Sequence, residues 1–395
     1  MQSLIPVEEM DERFQIAKKI GARFQGDDDP PQLTALELSI IMVMPLAHLR
    51  ENGRWITKHL LEGVEQLIEK FLQKSRAEGV GNAAPSNPGV KSAPSRKSSN
   101  NHENESGRTS RKCKADLDTP YKPAEKFSVS QREDQKRQCK ARDKFTCIFL
   151  GTADPDICHI VPFAFNSNRD NLNDALNLVS HYSVLMGTGL TYTSLISERL
   201  GCSDQTWNMI SMNKQMHDWW SNARFGLKCL GIYPDGEGIW VVRLQFHWMK
   251  RQDMRDPYRE ITLTAEEVKK FIDGLTTYYD DADKHDDESE AAVSAADARP
   301  NWALRSGRIF EIRMGPGEEP EMTAQRMAEK MKAMLDFQWN CIRISVMSGA
   351  AGSPEFLEDD NNDDATDDRI RAWLKATNSL CTSRHDGISE CCEKS

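Results

Sequence analysis

From Gly79 to Ala124 the chain carries almost no bulky apolar side chain; the run GVGNAAPSNPGVKSAPSRKSSNNHENESGRTSRK is built largely from Gly, Ser, Asn and Pro. A stretch of that composition cannot bury enough surface to offset the entropy lost on ordering, so it reads as a linker. It splits the chain, and any core must come from the residues on either side. Eight Lys/Arg against four Asp/Glu make it mildly basic. Arg108, Arg111, Lys112 and Lys114 are candidates for phosphate contact or a nuclear address, and an ordinary solvated linker accounts for them equally well.

Before the linker, residues 1–78 read as helical. Leu60, Val64, Leu67, Ile68, Phe71 and Leu72 recur at three and four, an apolar stripe on one helix face. This predicts a helical hairpin or small bundle. The most apolar run, Leu38 to Ala47, is too short to span a bilayer and contains Pro45. The start, MQSLIPVEEMDERF, lacks the basic-then-apolar order of a signal peptide. These features lead to the expectation of an intracellular protein, nuclear or cytoplasmic, with no membrane partner. The ten cysteines are scattered and form no CxxC pair, so most are expected as thiols. The net charge of −10 argues against a nucleic-acid partner only at first sight. Acidic residues crowd into Asp280–Glu290 and Glu355–Asp368, and the remainder is close to neutral.

After the linker the character changes. Ser130 to Lys140 reads as a polar helix, and five of the nine tryptophans fall between 130 and 255. Two strand-like runs in GIYPDGEGIWVVRLQFHW flank a Pro-Asp-Gly-Glu-Gly turn. Further on, Leu263 to Tyr279 predicts a helix capped by Thr264 with Glu267 three residues later. Ala324 to Phe337 predicts another, and the acidic runs around them read as disordered.

Two segments carry chemistry. In CIFLGTADPDICHIVPF, Cys147–Leu150 and Ile157–Val161 read as strands about a turn at Gly151–Pro155, with His159 on the second. In WNMISMNKQMHDWWSNARFGLKCL, Asn208–Met212 alternates as a half-buried strand, Asn213 suits a helix cap, and Lys214–Ala223 follows as a helix with His217 on its first turn. Phe225–Leu230 is strand-like again. Singly, these residues have bland readings, and His48, His59, His181 and His247 are taken as structural or surface groups. Trp219 and Trp220 are taken as packing residues.

In combination, the HI-x-P segment, the N-x8-H step from strand to helix and the F-x-LK run resemble the HNH nuclease family, with its ββα-metal fold. More narrowly, they are similar to the HNH-domain proteins abundant in filamentous fungi. The pieces that match are Arg142-Asp143, Cys147, Gly151-Thr152, Cys158-His159-Ile160, Pro162-Phe163, Asn208, His217, Trp220, Phe225 and Leu227-Lys228. Together they span roughly Gln131 to Trp248. The residues and the resemblance together lead to the expectation of an α+β protein. Periodicity and composition give the helical N-terminal region (1–78), the disordered linker (79–124) and the C-terminal region (256–395) of helices with acidic disordered stretches; the resemblance implies a ββα-metal HNH domain with a helical insertion between them (125–255).

The resemblance also implies a function: metal-dependent hydrolysis of phosphodiester bonds in DNA, with RNA as a second candidate. His159 would be the general base, Asn208 the group that orients it, and His217 a metal ligand. An imidazole with a pKa near neutral suits proton abstraction from water, and a divalent ion would offset charge on the phosphate. The implied ion is Mg²⁺ or Mn²⁺, with Zn²⁺ as the alternative. The alternative enters because Cys158 stands where many family members have Asp or His before the base, and a thiolate suits zinc rather than magnesium. Cys158 is thus a second candidate ligand, with Asp156 and Asp218 as nearby carboxylates. Forty-eight residues separate His159 from Asn208, and the related fungal proteins carry such an insertion too. Seven Lys/Arg between Lys126 and Lys144 would attract a phosphate backbone. The rival expectation is a catalytically inactive HNH-fold module that binds nucleic acid or protein.

Overall fold

The computed structural model describes residues 9–25, 30–81, 131–188, 199–249, 256–271, 295–298, 302–316 and 322–353, with Tyr192, Ile196 and Phe356. The basic cluster Arg108–Lys114, most of the linker and both acidic runs except Phe356 lie outside the described residues. The protein is a mixture of helices and short antiparallel sheets, as α+β requires.

Four helices form the N-terminal part: α1 (Met10–Phe24), α2 (Ala35–Val43), α3 (Leu46–Asn52) and α4 (Lys58–Gly81). A strand, β1 (Gln32–Thr34), precedes α2. Thr34 caps α2 in a capping box: its hydroxyl accepts from Glu37 N, and the Glu37 carboxylate accepts from Thr34 N. That closure lets Glu37 sit 3% exposed within a helix whose every residue is buried. On α4 the expected stripe is in place, with Val64, Leu67, Ile68, Phe71 and Leu72 all buried.

Next come α5 (Glu133–Arg142), β2 (Asp156–His159), α6 (Arg169–Met186), β3 (Met209–Met212) and α7 (Lys214–Ser221). The insertion between the two halves of the motif is therefore helical, as expected. β4 (Phe225–Pro234) and β5 (Trp240–Trp248) form the predicted hairpin about the Pro-Asp-Gly-Glu-Gly turn, with a bulge between Cys229 and Gly231. β6 (Glu260–Thr262) pairs with β1. Two-residue strands β7 (Ala296–Asp297) and β8 (Trp302–Ala303) pair with each other, and β9 (Ile309–Met314) adds to β5. The last long element, α8 (Ala324–Ser348), starts at a Thr323 cap and ends at Gly349, whose φ of 93° stops the helix. It runs eleven residues beyond the Phe337 limit read from the sequence. The Thr264 cap is present, its hydroxyl accepting from Glu267 N at 3.2 Å.

One segment differs from its expectation. Cys147–Leu150 is a closed turn rather than a strand. Cys147 N donates to Thr152 O (2.9 Å) and Gly151 N to Cys147 O (2.8 Å), with Gly151 at φ 66°. The turn drives Phe149 into an aromatic box of Phe225, Phe246 and Phe310, with ring centroids 5.0–5.8 Å away. The run is apolar because a plug needs apolar residues as much as a buried strand does.

A single apolar cluster takes in residues from the N-terminal helices, the middle segment and α8. Among the described residues, no helix is long and apolar enough to cross a membrane.

Candidate functional site

β2 and β3 form a short antiparallel hairpin with Asp156 opposite Met212 and His159 opposite Met209. Alternation along β2 sends Asp156 and Cys158 to one face and Ile157 and His159 to the other. Ile157 accordingly packs with Met209 and Cys139 of α5 in a small cluster of its own, while Cys158 lies in the main core. β3 has all four residues buried, not the half-buried alternation read from the sequence, because both its faces are covered. Asn208 falls just before β3, in a 3-10 turn spanning Thr206–Asn208. Asn213 caps α7 as its position suggested, accepting from Gln215 N at 2.9 Å.

At the end of β2, His159 Nε2 lies 2.9 Å from Asp204 Oδ1, and the two side chains are 2% and 1% exposed. A carboxylate accepts only, so Nε2–H is the donor. Asp204 also accepts from Arg132 N, which ties the pair to the start of α5. Sequence reasoning missed Asp204: it stands in the polar stretch CSDQTW, where a lone Asp reads as a turn residue.

Asn208 is fully buried. Its Oδ1 accepts from Val161 N (3.0 Å), and its Nδ2 donates to Val161 O (2.9 Å) and Ser203 O (3.1 Å). Ile160 N in turn donates to Asn208 O at 2.8 Å. One amide thus joins the chain two residues after His159 to the residue preceding Asp204. Arg142 and Asp143 brace the same corner. The Arg142 guanidinium donates to Thr206 O (2.7 Å) and Met209 O (2.8 Å), on either side of Asn208. Asp143 accepts from Ser211 N at 3.0 Å. From α7, Trp220 Nε1 donates to His159 O at 3.4 Å.

His217 is 5% exposed on the first turn of α7, and its Nδ1 lies 3.8 Å from Asp156 Oδ2. Asp218 is exposed on the outer face of that helix. Ligands about 2.1 Å from one ion stand roughly 3.0–3.4 Å apart, so Asp156 and His217, 3.8 Å apart, would have to close by about 0.4–0.8 Å to share one. Among the described residues no three His, Cys, Asp or Glu side chains form a metal-holding group. One carboxylate and one imidazole suit a hard cation that keeps several waters and takes phosphate oxygens. They do not make a closed zinc cage.

The other described histidines are engaged elsewhere. His48 Nε2 is 2.7 Å from Val184 O. His59 and His181 meet edge to face between α4 and α6, 5.0 Å apart. Trp219 packs on Trp248 at 5.6 Å, and Trp220 on Phe225 at 5.3 Å, as packing residues should.

No protein-family model matches this chain, and neither a curated protein nor a solved structure matches it.

Proposed function

We propose that the hairpin β2–β3 with α7 is a metal-dependent phosphodiesterase site of the HNH, ββα-metal type, acting on DNA, with RNA the second candidate. The observation that carries the reading is the buried His159–Asp204 hydrogen bond, set at one end of a strand whose other end bears Asp156 beside His217. His159, with Nε2–H held by Asp204, is the general base of this reading, the group that takes a proton from water. The carboxylate then stabilises the imidazolium that forms. Asn208 is a positioning residue: it locks the loops bearing both members of that pair. Asp156 and His217 would hold a divalent ion, Mg²⁺ or Mn²⁺, which when bound would polarise the phosphate and offset charge on the leaving oxygen. Cys158 drops out of the proposed ligand set because it is 1% exposed within the main apolar core. Arg137 and Lys144 are exposed, at α5 and in the turn after it, and would meet the phosphate backbone.

A Mn²⁺ titration followed by NMR tests the metal assignment without relying on turnover. The His217 imidazole resonances should broaden first, and Asp156→Asn should raise the Mn²⁺ Kd by roughly tenfold or more. Uniform broadening, or an Asp156→Asn protein that binds Mn²⁺ like the wild type, would remove the ion from this place.

A second reading has its own observation. The His159 side chain is only 2% exposed, as in a structural pair. On that reading the unit is an inactive HNH-fold module that binds nucleic acid or protein. The protein would then bind DNA without cutting it, and His159→Ala would unfold it.

A further inference from the structure

The turn that leaves α5 holds a conformation its residues rarely adopt. Lys144 and Phe145 stand in succession at φ 57° and 56°, in the left-handed region where a lysine is uncommon and a phenylalanine is an outlier. The helix end explains the first of the two. Phe145 N donates to Lys140 O (2.7 Å) and Lys144 N to Ala141 O (3.1 Å), the pair of bonds that closes a helix through one left-handed residue, so Lys144 takes the place where glycine ordinarily serves. That closure does not require Phe145 to be left-handed as well. Such closures commonly bury the following residue against an apolar side chain of the last turn. Lys140 stands at the bonded position instead, and Phe145 is 56% exposed.

The turn is held from behind. The buried Asp143 accepts from Ser211 N of β3 (3.0 Å), and Ile148 N donates to Ser211 O (3.1 Å). Thr146 bridges to Ala153, and Asn213, the cap of α7, donates to Thr152 Oγ1 (3.3 Å). An exposed ring is thus fixed on a strained turn, and strain of this kind persists only where the surroundings impose it. Ala153 precedes Asp156 by three residues. Counted across the bridge and along those residues, the Cα atoms of Phe145 and Asp156 are at most roughly 20 Å apart.

The charge around the ring is one-sided. From Lys136 to Phe145 there are five Lys/Arg and one acidic residue, Asp143, which is paired with Arg142. Lys136 is taken by Glu133. Arg137 and Lys140, three residues apart, share a face of α5, and Lys144 stands at the end of that helix. Arg137 and Lys144 are exposed and Lys140 is half-buried, and among the described residues none of the three forms an ion pair. Asp154, in the neighbouring turn, is the exposed carboxylate that offsets part of this charge.

We propose that Phe145 stacks on an unpaired nucleobase while Arg137, Lys140 and Lys144 hold the phosphates of the same strand. An aromatic ring for a base and cations for the backbone are the two contacts by which a single strand of any sequence is held. A ring already fixed in place loses little freedom on binding. Cations surround the one exposed apolar side chain, which favours a polyanion over an apolar protein surface. The inference rests on reading the hairpin as a nucleic-acid site, and it states how that site takes hold of a strand.

The test is fluorescence anisotropy with the full chain in EDTA, which stops metal-dependent cleavage. The probes are a short labelled single-stranded oligodeoxynucleotide, its duplex, and a strand of the same length with abasic sites throughout. Phe145→Ala should weaken binding to the single strand by roughly tenfold, and Phe145→Tyr should retain it. The duplex, with its bases stacked on one another, and the abasic strand, with none, should bind the wild type and Phe145→Ala nearly alike. Lys144→Gln should lower the slope of log K against log salt by about 0.7, a slope that Phe145→Ala leaves unchanged. Wild-type affinity for the single strand in Phe145→Ala, an equal loss on all three probes, or no binding by the folded wild type overturns the proposal. Binding is read apart from turnover. A protein that binds as described but never nicks DNA keeps this site and loses the nuclease reading; one that nicks while Phe145→Ala binds normally does the reverse.

Discussion

His159 and Asp204 are forty-five residues apart in sequence and 2.9 Å apart in space, joined by a hydrogen bond between two nearly inaccessible side chains. Asp204 also accepts from Arg132 N, so one carboxylate sets the imidazole tautomer and anchors the start of α5. Removing it takes an acceptor from the buried His159 Nε2–H and from the part-buried Arg132 N–H. Asp204→Ala should cost about 3–5 kcal/mol in urea unfolding, and Asp204→Asn, which keeps one acceptor oxygen, about half of that. Heteronuclear NMR should find His159 protonated at Nε2 in the wild type. A loss under about 0.5 kcal/mol for Asp204→Ala would mean that the carboxylate is not the anchor described here.

Asn208 makes three side-chain hydrogen bonds in a fully buried setting. Asn208→Ala strands the Val161 amide and two carbonyls and should cost about 2–4 kcal/mol. Asn208→Asp should be no milder, because a carboxylate cannot donate to Val161 O and Ser203 O. Equilibrium denaturation of the two variants side by side checks the order.

On α4, burial and then the nearby Glu37 and Glu62 raise the Glu65 carboxyl from 4.5 to about 7. The folded state therefore holds a proton that the unfolded chain releases earlier. Stability from this group is fully present below about pH 4.5 and is lost as the pH rises through 7. Glu65→Gln should abolish that slope. At pH 8 it should be more stable than the wild type by about 2 kcal/mol, after allowance for partial exposure. Thermal melts of both proteins between pH 4.5 and 8 would reveal the crossing, and parallel curves would refute the coupling.

Local signals were readable where local physics decides. The Asn213 cap, the Thr264 cap, the Pro-Asp-Gly-Glu-Gly hairpin and the α4 stripe depend on neighbours in sequence, and each stands where the residues place it. Cys147–Leu150 was misread because its shape is decided by Phe310, about 160 residues away, which completes the box around Phe149. β9 carries a clean alternation, with Phe310, Ile312 and Met314 buried between exposed or part-exposed neighbours, yet it lies within a region dominated by polar and acidic runs. At the site, His159, Asn208 and His217 were picked out by their order in the chain. Asp204 was not, because its partner is brought to it only by the fold. Asp156 and Cys158 show the same limit. They share one face of β2, and which of them meets His217 and which fills the core depends on what packs along that face.

The β2–β3 hairpin with α7 is proposed to cut phosphodiester bonds. The direct measurement is incubation of the full chain with supercoiled plasmid in Mg²⁺, Mn²⁺, Zn²⁺ or EDTA, with His159→Ala beside each and its fold checked by circular dichroism. Nicking is expected in Mg²⁺ or Mn²⁺, with none in EDTA and none from a folded His159→Ala. A folded wild-type protein that leaves the plasmid intact with every metal, or a His159→Ala variant that nicks as well as its parent, would contradict it.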